Sequence, residues 1–161
     1  MNKEFEQRRL SCLSVLKCFR EDRKINILQV GENDNIKKYF QDLLYARGNS
    51  KDTILYLDYN SAPHDKKDFY AKLEDGCTPD IIYINAADKT LFKTINITPV
   101  GLINSSLWEI LNDLGILIVD SLSSKQQDNF LNSFLDFLNF EDIRFYSDQS
   151  EVGFFFLQKQ V

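Results

Sequence analysis

Apolar residues recur along this chain with two different periods. Phe5, Leu10, Leu13 and Leu16, with Cys12, Val15 and Phe19, return at roughly helical spacing, which predicts an amphipathic helix over residues 3–21. From Ile25 the period changes. INILQV, TILYLD, DIIYIN and ILIVD are short apolar runs rich in β-branched residues, and they predict strands over 25–30, 53–58, 80–85 and 116–120. Helical patterns follow them over 34–46, 65–74, 102–112 and 125–138, the third after a longer connection. The breaks fall at Gly48-Asn49-Ser50, Gly76, Pro79 and Gly115, and Ser123-Ser124 is placed to cap the last helix.

Strands alternating with helices imply βαβ units and a parallel sheet covered on both faces. The end of the chain departs from that rhythm. FEDIRFYSDQSEVGFFFLQKQ carries two strand patterns, 142–146 and 152–158, joined by a polar turn instead of a helix. The expected fold is a Rossmann-like, doubly wound, mostly parallel α/β sheet of about six strands ending in an antiparallel hairpin. The expected organisation is an N-terminal helix in 1–24 and a single α/β domain in 25–161. The apolar stripe Phe130, Leu131, Phe134, Leu135, Phe137 and Leu138, with Phe154–Leu157, reads as core, or failing that as an aromatic contact patch.

Composition narrows the function. The chain has 161 residues with a net charge of -5, and its few cationic clusters are interleaved with acids, which argues against broad nucleic-acid binding. Three cysteines without a CxxC pair, and one histidine, make no zinc cluster. The N-terminus lacks the apolar run of a signal peptide and no stretch is long enough to span a membrane, so a cytoplasmic protein is expected. His64, in a polar loop with no nucleophile to serve, reads as a solvated side chain. Leu10, Leu13, Leu16 and Phe19 on one helical face, flanked by Arg8, Arg9 and Lys17, suggest a protein partner or self-association through the N-terminal helix.

In an open parallel sheet, ligands bind beyond the carboxyl ends of the strands, near the point where strand order reverses. That selects 31–35, 58–62, 85–89 and 120–124. Gly31 allows a tight turn whose amides attract an anion. Glu32 and Asp34 bring negative charge to the same mouth, where they also favour the helix dipole.

The order of elements, the terminal hairpin and the text WEILNDLGILIVD resemble class I S-adenosylmethionine-dependent methyltransferases over residues 25–158. Within that superfamily, DIIYINAADKTLF is similar to the strand and loop that carries "DADK" in metal-dependent catechol and caffeoyl-CoA type O-methyltransferases, and IVDSL stands where those enzymes carry Asp-Asn. The resemblance implies cofactor contacts at Gly31, Glu32, Asn33, Asp58, Asn85 and Ala86. It implies catalytic roles for Asp88, Lys89 and Asp120, with Lys89 or Asp120 assisting deprotonation. The departures are specific. The family's run of glycines is Gly31-Glu32-Asn33-Asp34-Asn35 here, Asn85 stands near the first metal-binding aspartate, and Asp120 is followed by Ser121. One βα unit is missing between Gly31 and Asp80, so Asp58 matches either the ribose-binding acid or the strand before the adenine loop. With so few carboxylates no metal is expected, and S-adenosylmethionine is expected to bind weakly or not at all. The expected function is a degenerate methyltransferase-like domain that binds or interacts without catalysis. The alternatives are an active small methyltransferase and a pseudo-receiver signalling domain, the latter suggested by ILQVGENDNIKKYFQDLLYARG and TPDIIYIN.

Overall fold

Four β-branched runs form the parallel part of one sheet. In the computed structural model, which describes residues 3–59, 65–75, 78–133, 144–147 and 153–159, they are β1 (Asn26–Val30), β2 (Thr53–Leu57), β3 (Ile81–Asn85) and β4 (Ile116–Leu122). β5 (Arg144–Ser147) and β6 (Gly153–Gln158) complete a six-stranded sheet of order β2-β1-β3-β4-β6-β5 among the described residues. β1 pairs in parallel with β2 and β3, and β3 with β4, while β6 runs antiparallel to both β4 and β5. A receiver domain has a fifth parallel strand where β6 stands, so the antiparallel pair removes the pseudo-receiver fold from consideration.

Side chains leave alternate faces of each strand, and the two faces have separate cores. On one face Ile27, Ile81, Tyr83, Ile116, Ile118, Phe154 and Phe156 pack against the N-terminal segment and α2 (Asp34–Arg47). On the other, Leu28, Val30, Leu57, Ile82, Ile84, Leu117, Val119, Phe155 and Leu157 meet α3 (Lys66–Asp75), α4 (Lys89–Ile95), the segment from α5 (Pro99–Leu102) to α6 (Trp108–Ile110), and α7 (Ser124–Ser133). Phe130 of α7 lies with its ring 4.7 Å from that of Phe155. The rest of the predicted 125–138 helix, with Phe134, Leu135, Phe137 and Leu138, falls outside the described residues.

Two helical expectations are corrected. The single helix predicted over 102–112 is α5 and α6 joined by a π-helical turn, Ile103–Leu107, and it is preceded by the seven-residue α4. α4 stops at Asn96, left-handed at φ 52°, and Thr98 restarts the chain by capping Gly101 N–H at 3.0 Å. The predicted helix over 3–21 is α-helical only through α1 (Lys3–Leu13) and then tightens to a 3-10 turn, Ser14–Cys18. Ser14 Oγ donates to Ser11 O at 2.6 Å there, a local bond that competes with regular helix. The buried stripe is turned from the predicted one. Arg9, Cys12, Leu13 and Leu16 turn inward, and Leu10 and Val15 are exposed. Arg9 is therefore not part of a cationic flank, because it stands one helical turn before Leu13 on the covered face.

The link that follows is pinned at the amino ends of the strands. The Arg47 guanidinium gathers Phe19 O (2.8 Å), Arg23 O (2.6 Å) and the Asp52 carboxylate (2.9 Å). Asp80 accepts from Arg20, Arg23 and Asn112. Among the described residues no helix is long and apolar enough to cross a membrane.

Candidate functional site

The sheet order reverses between β1 and β3, and the turns leaving these two strands are tied together. Gly31 sits at φ +90°, and a Cβ there would stand 3.0 Å from Asn85 O and 3.3 Å from Asp88 Cβ. Glu32 N–H donates to Asp88 Oδ2 at 2.7 Å, and Asn85 Nδ2 donates to Glu32 O at 2.7 Å. Asp88 caps α4 with its other oxygen, which accepts from Leu91 N at 3.1 Å. Asn33 caps α2 by accepting from Ile36 N at 3.2 Å. The turn amide that would attract an anion thus already holds a carboxylate of the same chain. We expect Gly31→Ala to lower stability by about 2 kcal/mol, since a left-handed L-residue costs about 1–2 kcal/mol and the new methyl crowds a carbonyl. A urea midpoint equal to that of the parent would contradict this.

Beside this stitched pair the covered face turns polar. Tyr83 OH donates to Asp120 Oδ2 and accepts from Asn33 Nδ2 at 3.1 Å. Ser121 Oγ donates to Asp120 Oδ1 at 3.2 Å, and Arg9 from α1 pairs with that oxygen at 3.0 Å. The side chains of Arg9 and Asp120 are 6% and 0% exposed. The Arg9 guanidinium also lies 5.8 Å from the ring centroid of Phe154, the residue opposite Asp120 on β6. Gln29 fills the floor, with Nε2 directed at Asn33 O at 3.3 Å. Burial pushes the Asp120 carboxyl above its ordinary value, against the pull of Arg9, Tyr83 and Ser121. The Tyr83 phenol is pushed well up by burial and then by the Asp120 charge. Ser121 is left-handed at φ 63°, where the β4–β6 register shifts.

The remaining candidates stand apart. β2 is the immediate neighbour of β1 and the sheet edge, so Asp58 follows the strand beside β1, the place of a ribose-binding carboxylate in doubly wound sheets. It is buried, and His64, with residues 60–63 of the same loop, lies outside the described residues. Lys89 borders a shallow cleft of about 400 Å³ with Ala86, Phe92, Asn96, Pro99 and Gln126. That cleft is on the α4 and α7 side of the sheet, whereas Asp120 is engaged on the α1 side. Asp88, Lys89 and Asp120 thus stand in three separate places. A larger cleft of about 510 Å³, lined by Lys17, Tyr39, Asp42, Leu43 and Arg47, lies between the 3-10 turn and α2, away from the carboxyl ends of the strands. Among the described residues no group of three or more His, Cys, Asp or Glu is placed to hold a metal ion.

Tyr83 and Arg9 were not singled out in the sequence as site residues. The available signal was an arginine in register with Leu13 and Leu16 on an apolar stripe.

Comparison with known structures gives the same architecture. A ribosomal RNA methyltransferase from Plasmodium falciparum superposes with a TM-score of 0.57 at 15% identity, covering 99% of this chain and 97% of that one. A precorrin-6Y C5,15-methyltransferase from Geobacter metallireducens gives 0.50 at 8% identity, covering 94% and 89%. No protein-family model and no curated protein matches the sequence. The chain has the class I S-adenosylmethionine methyltransferase-like fold, with α/β layers and the terminal antiparallel pair.

Proposed function

We propose that this is a degenerate methyltransferase-like domain, a binding protein whose cofactor crevice is closed by its own side chains and which transfers no methyl group. The observation that carries the reading is the bond from Glu32 N–H to Asp88 Oδ2, with Asn85 reaching back to Glu32 O. S-adenosylmethionine carries a carboxylate, and at this turn it would meet Asp88, Glu32 and Asp34 where an open amide is needed. Over β4, the Arg9 side chain fills the space against Asp120. The residues present therefore do not fit the cofactor, and no chemical step is assigned to it. One position favours the second reading, an active small methyltransferase: Asp58 stands beside β1 where a ribose acid belongs.

Calorimetric titration with S-adenosylmethionine and S-adenosylhomocysteine separates the two. Each displaced hydrogen bond costs about 1–3 kcal/mol, and about 1.4 kcal/mol is tenfold in affinity, so two displaced bonds move a micromolar site toward the millimolar range. The expected result is no saturable heat at submillimolar ligand. A dissociation constant in the low micromolar range would overturn the proposal in favour of the enzyme.

Self-association through the N-terminal segment, where it contributes to binding, rests on Leu10 and Val15. Among the described side chains these are its exposed large apolar residues, whereas Leu13 and Leu16 are in the core.

A further inference from the structure

Resting on the reading of a crevice closed from within, we infer that the carboxyl end of β4 is a receptor site for a guanidinium group, and that Arg9 is its built-in occupant. The receptor is assembled by three strands before α1 adds anything. Asp120 comes from β4, held by the Tyr83 hydroxyl from β3 and by Ser121, and Phe154 from β6 presents its ring face beside it. Asn33 fixes Tyr83 from the α2 cap. A carboxylate beside an aromatic face is the arrangement that a planar, weakly hydrated guanidinium fits better than a compact ammonium does.

Core formation alone does not require this chemistry. A buried ion pair is commonly no more stabilising than apolar side chains of the same volume, because both charges lose their water. A leucine or methionine at position 9, above an apolar residue at 120, would close the same seam. The charge pair stands instead where parallel α/β sheets take their ligands, one strand from the reversal between β1 and β3. Its cation arrives on the first helix, tethered through a 3-10 turn, so that Arg9 acts as a ligand at high effective concentration. An external guanidino compound or arginine side chain must compete with that tethered group. In the intact protein the site is therefore shut, and it opens when Arg9 is withdrawn.

The test is chemical rescue in the full-length chain. Arg9→Ala leaves a guanidinium-sized space over Asp120. Methylguanidinium chloride at about 10 mM, near the effective concentration of a tethered group, is expected to raise the melting temperature of Arg9→Ala by about 3–5 °C for a dissociation constant of about 1 mM. Sodium chloride and methylammonium chloride at the same concentration should give a smaller shift, the parent protein should not respond, and Arg9→Ala with Asp120→Asn should lose the effect. If Arg9→Ala is unfolded in buffer, methylguanidinium must restore its near-ultraviolet circular dichroism. A response equal to that of methylammonium, or one that persists without the Asp120 charge, overturns the inference, and so does no response at all. S-adenosylmethionine binding to the parent protein would refute the closed-crevice reading while leaving this result to be judged separately.

Discussion

Leu13→Asp combined with Leu16→Asp should abolish the cooperative melt. Both leucines are 0% exposed in the core formed with Ile25, Phe40, Ile81, Tyr83 and Ile118. Truncating a buried leucine costs about 2–5 kcal/mol; burying a carboxylate in its place adds the cost of an unpaired charge. Two such changes exceed the roughly 5–15 kcal/mol that holds a domain together. The paired control is Leu10→Asp with Val15→Asp, on the exposed side of the same segment, which should stay within about 0.5 kcal/mol of the parent. Circular dichroism melts with light scattering on both variants decide the point. A folded Leu13/Leu16 variant that differs only in mass would mean that this stripe serves association and not the core.

The second large effect is expected at Arg9. Arg9→Met keeps most of the volume and removes the charge, leaving Asp120 buried without its cation, a change that typically costs about 3–5 kcal/mol. For a domain of this size that is a fall of about 6–20 °C in melting temperature. The pH dependence has a definite sign. Burial raises the Asp120 carboxyl in the folded state, so the folded chain holds that proton more tightly than the unfolded chain does. Its contribution to stability falls as pH rises from the ordinary carboxylate value through the raised one, and is level above it. Arg9 is the largest influence opposing that rise. Without it the folded value climbs further and the window widens, so Arg9→Met should cost more at about pH 8 than at about pH 5. Adding Asp120→Asn should recover part of the loss at the higher pH, because the orphaned charge is gone. Equal penalties at both pH values would show that Arg9 acts by packing alone.

These expectations depend on features that differ in how readable they were. β1 to β4 stood out because runs such as INILQV and DIIYIN are too short for helices and rich in β-branched residues. The hairpin stood out because no helical period separates FEDIRFY from EVGFFFL. The facing of α1 did not. Leu10 and Arg9 lie on opposite sides of Leu13, three and four residues before it, so either can share its buried face, and only packing against the sheet decides for Arg9. Tyr83 in IIYIN reads as one more core aromatic until Asp120 is brought to its hydroxyl. The stitch between the two turns joins residues 53 and 56 positions apart, so no local pattern announces it. Asp58 matches two family positions by sequence alone, because only the fold shows that the strand before it pairs directly with β1.

Among the described residues β2 is the outer strand of the sheet. Thr53-Ile54-Leu55-Tyr56-Leu57 is unbroken by proline or charge, its middle residues are half-buried, and Lys37 lies 4.6 Å from the Tyr56 ring centroid. Unpaired main-chain groups along such a border can template an incoming strand, and β2 carries no charge of its own to discourage it. Colloidal behaviour is thereby linked to this border: a chain with a further strand outside β2 would cover the main-chain groups that β2 presents.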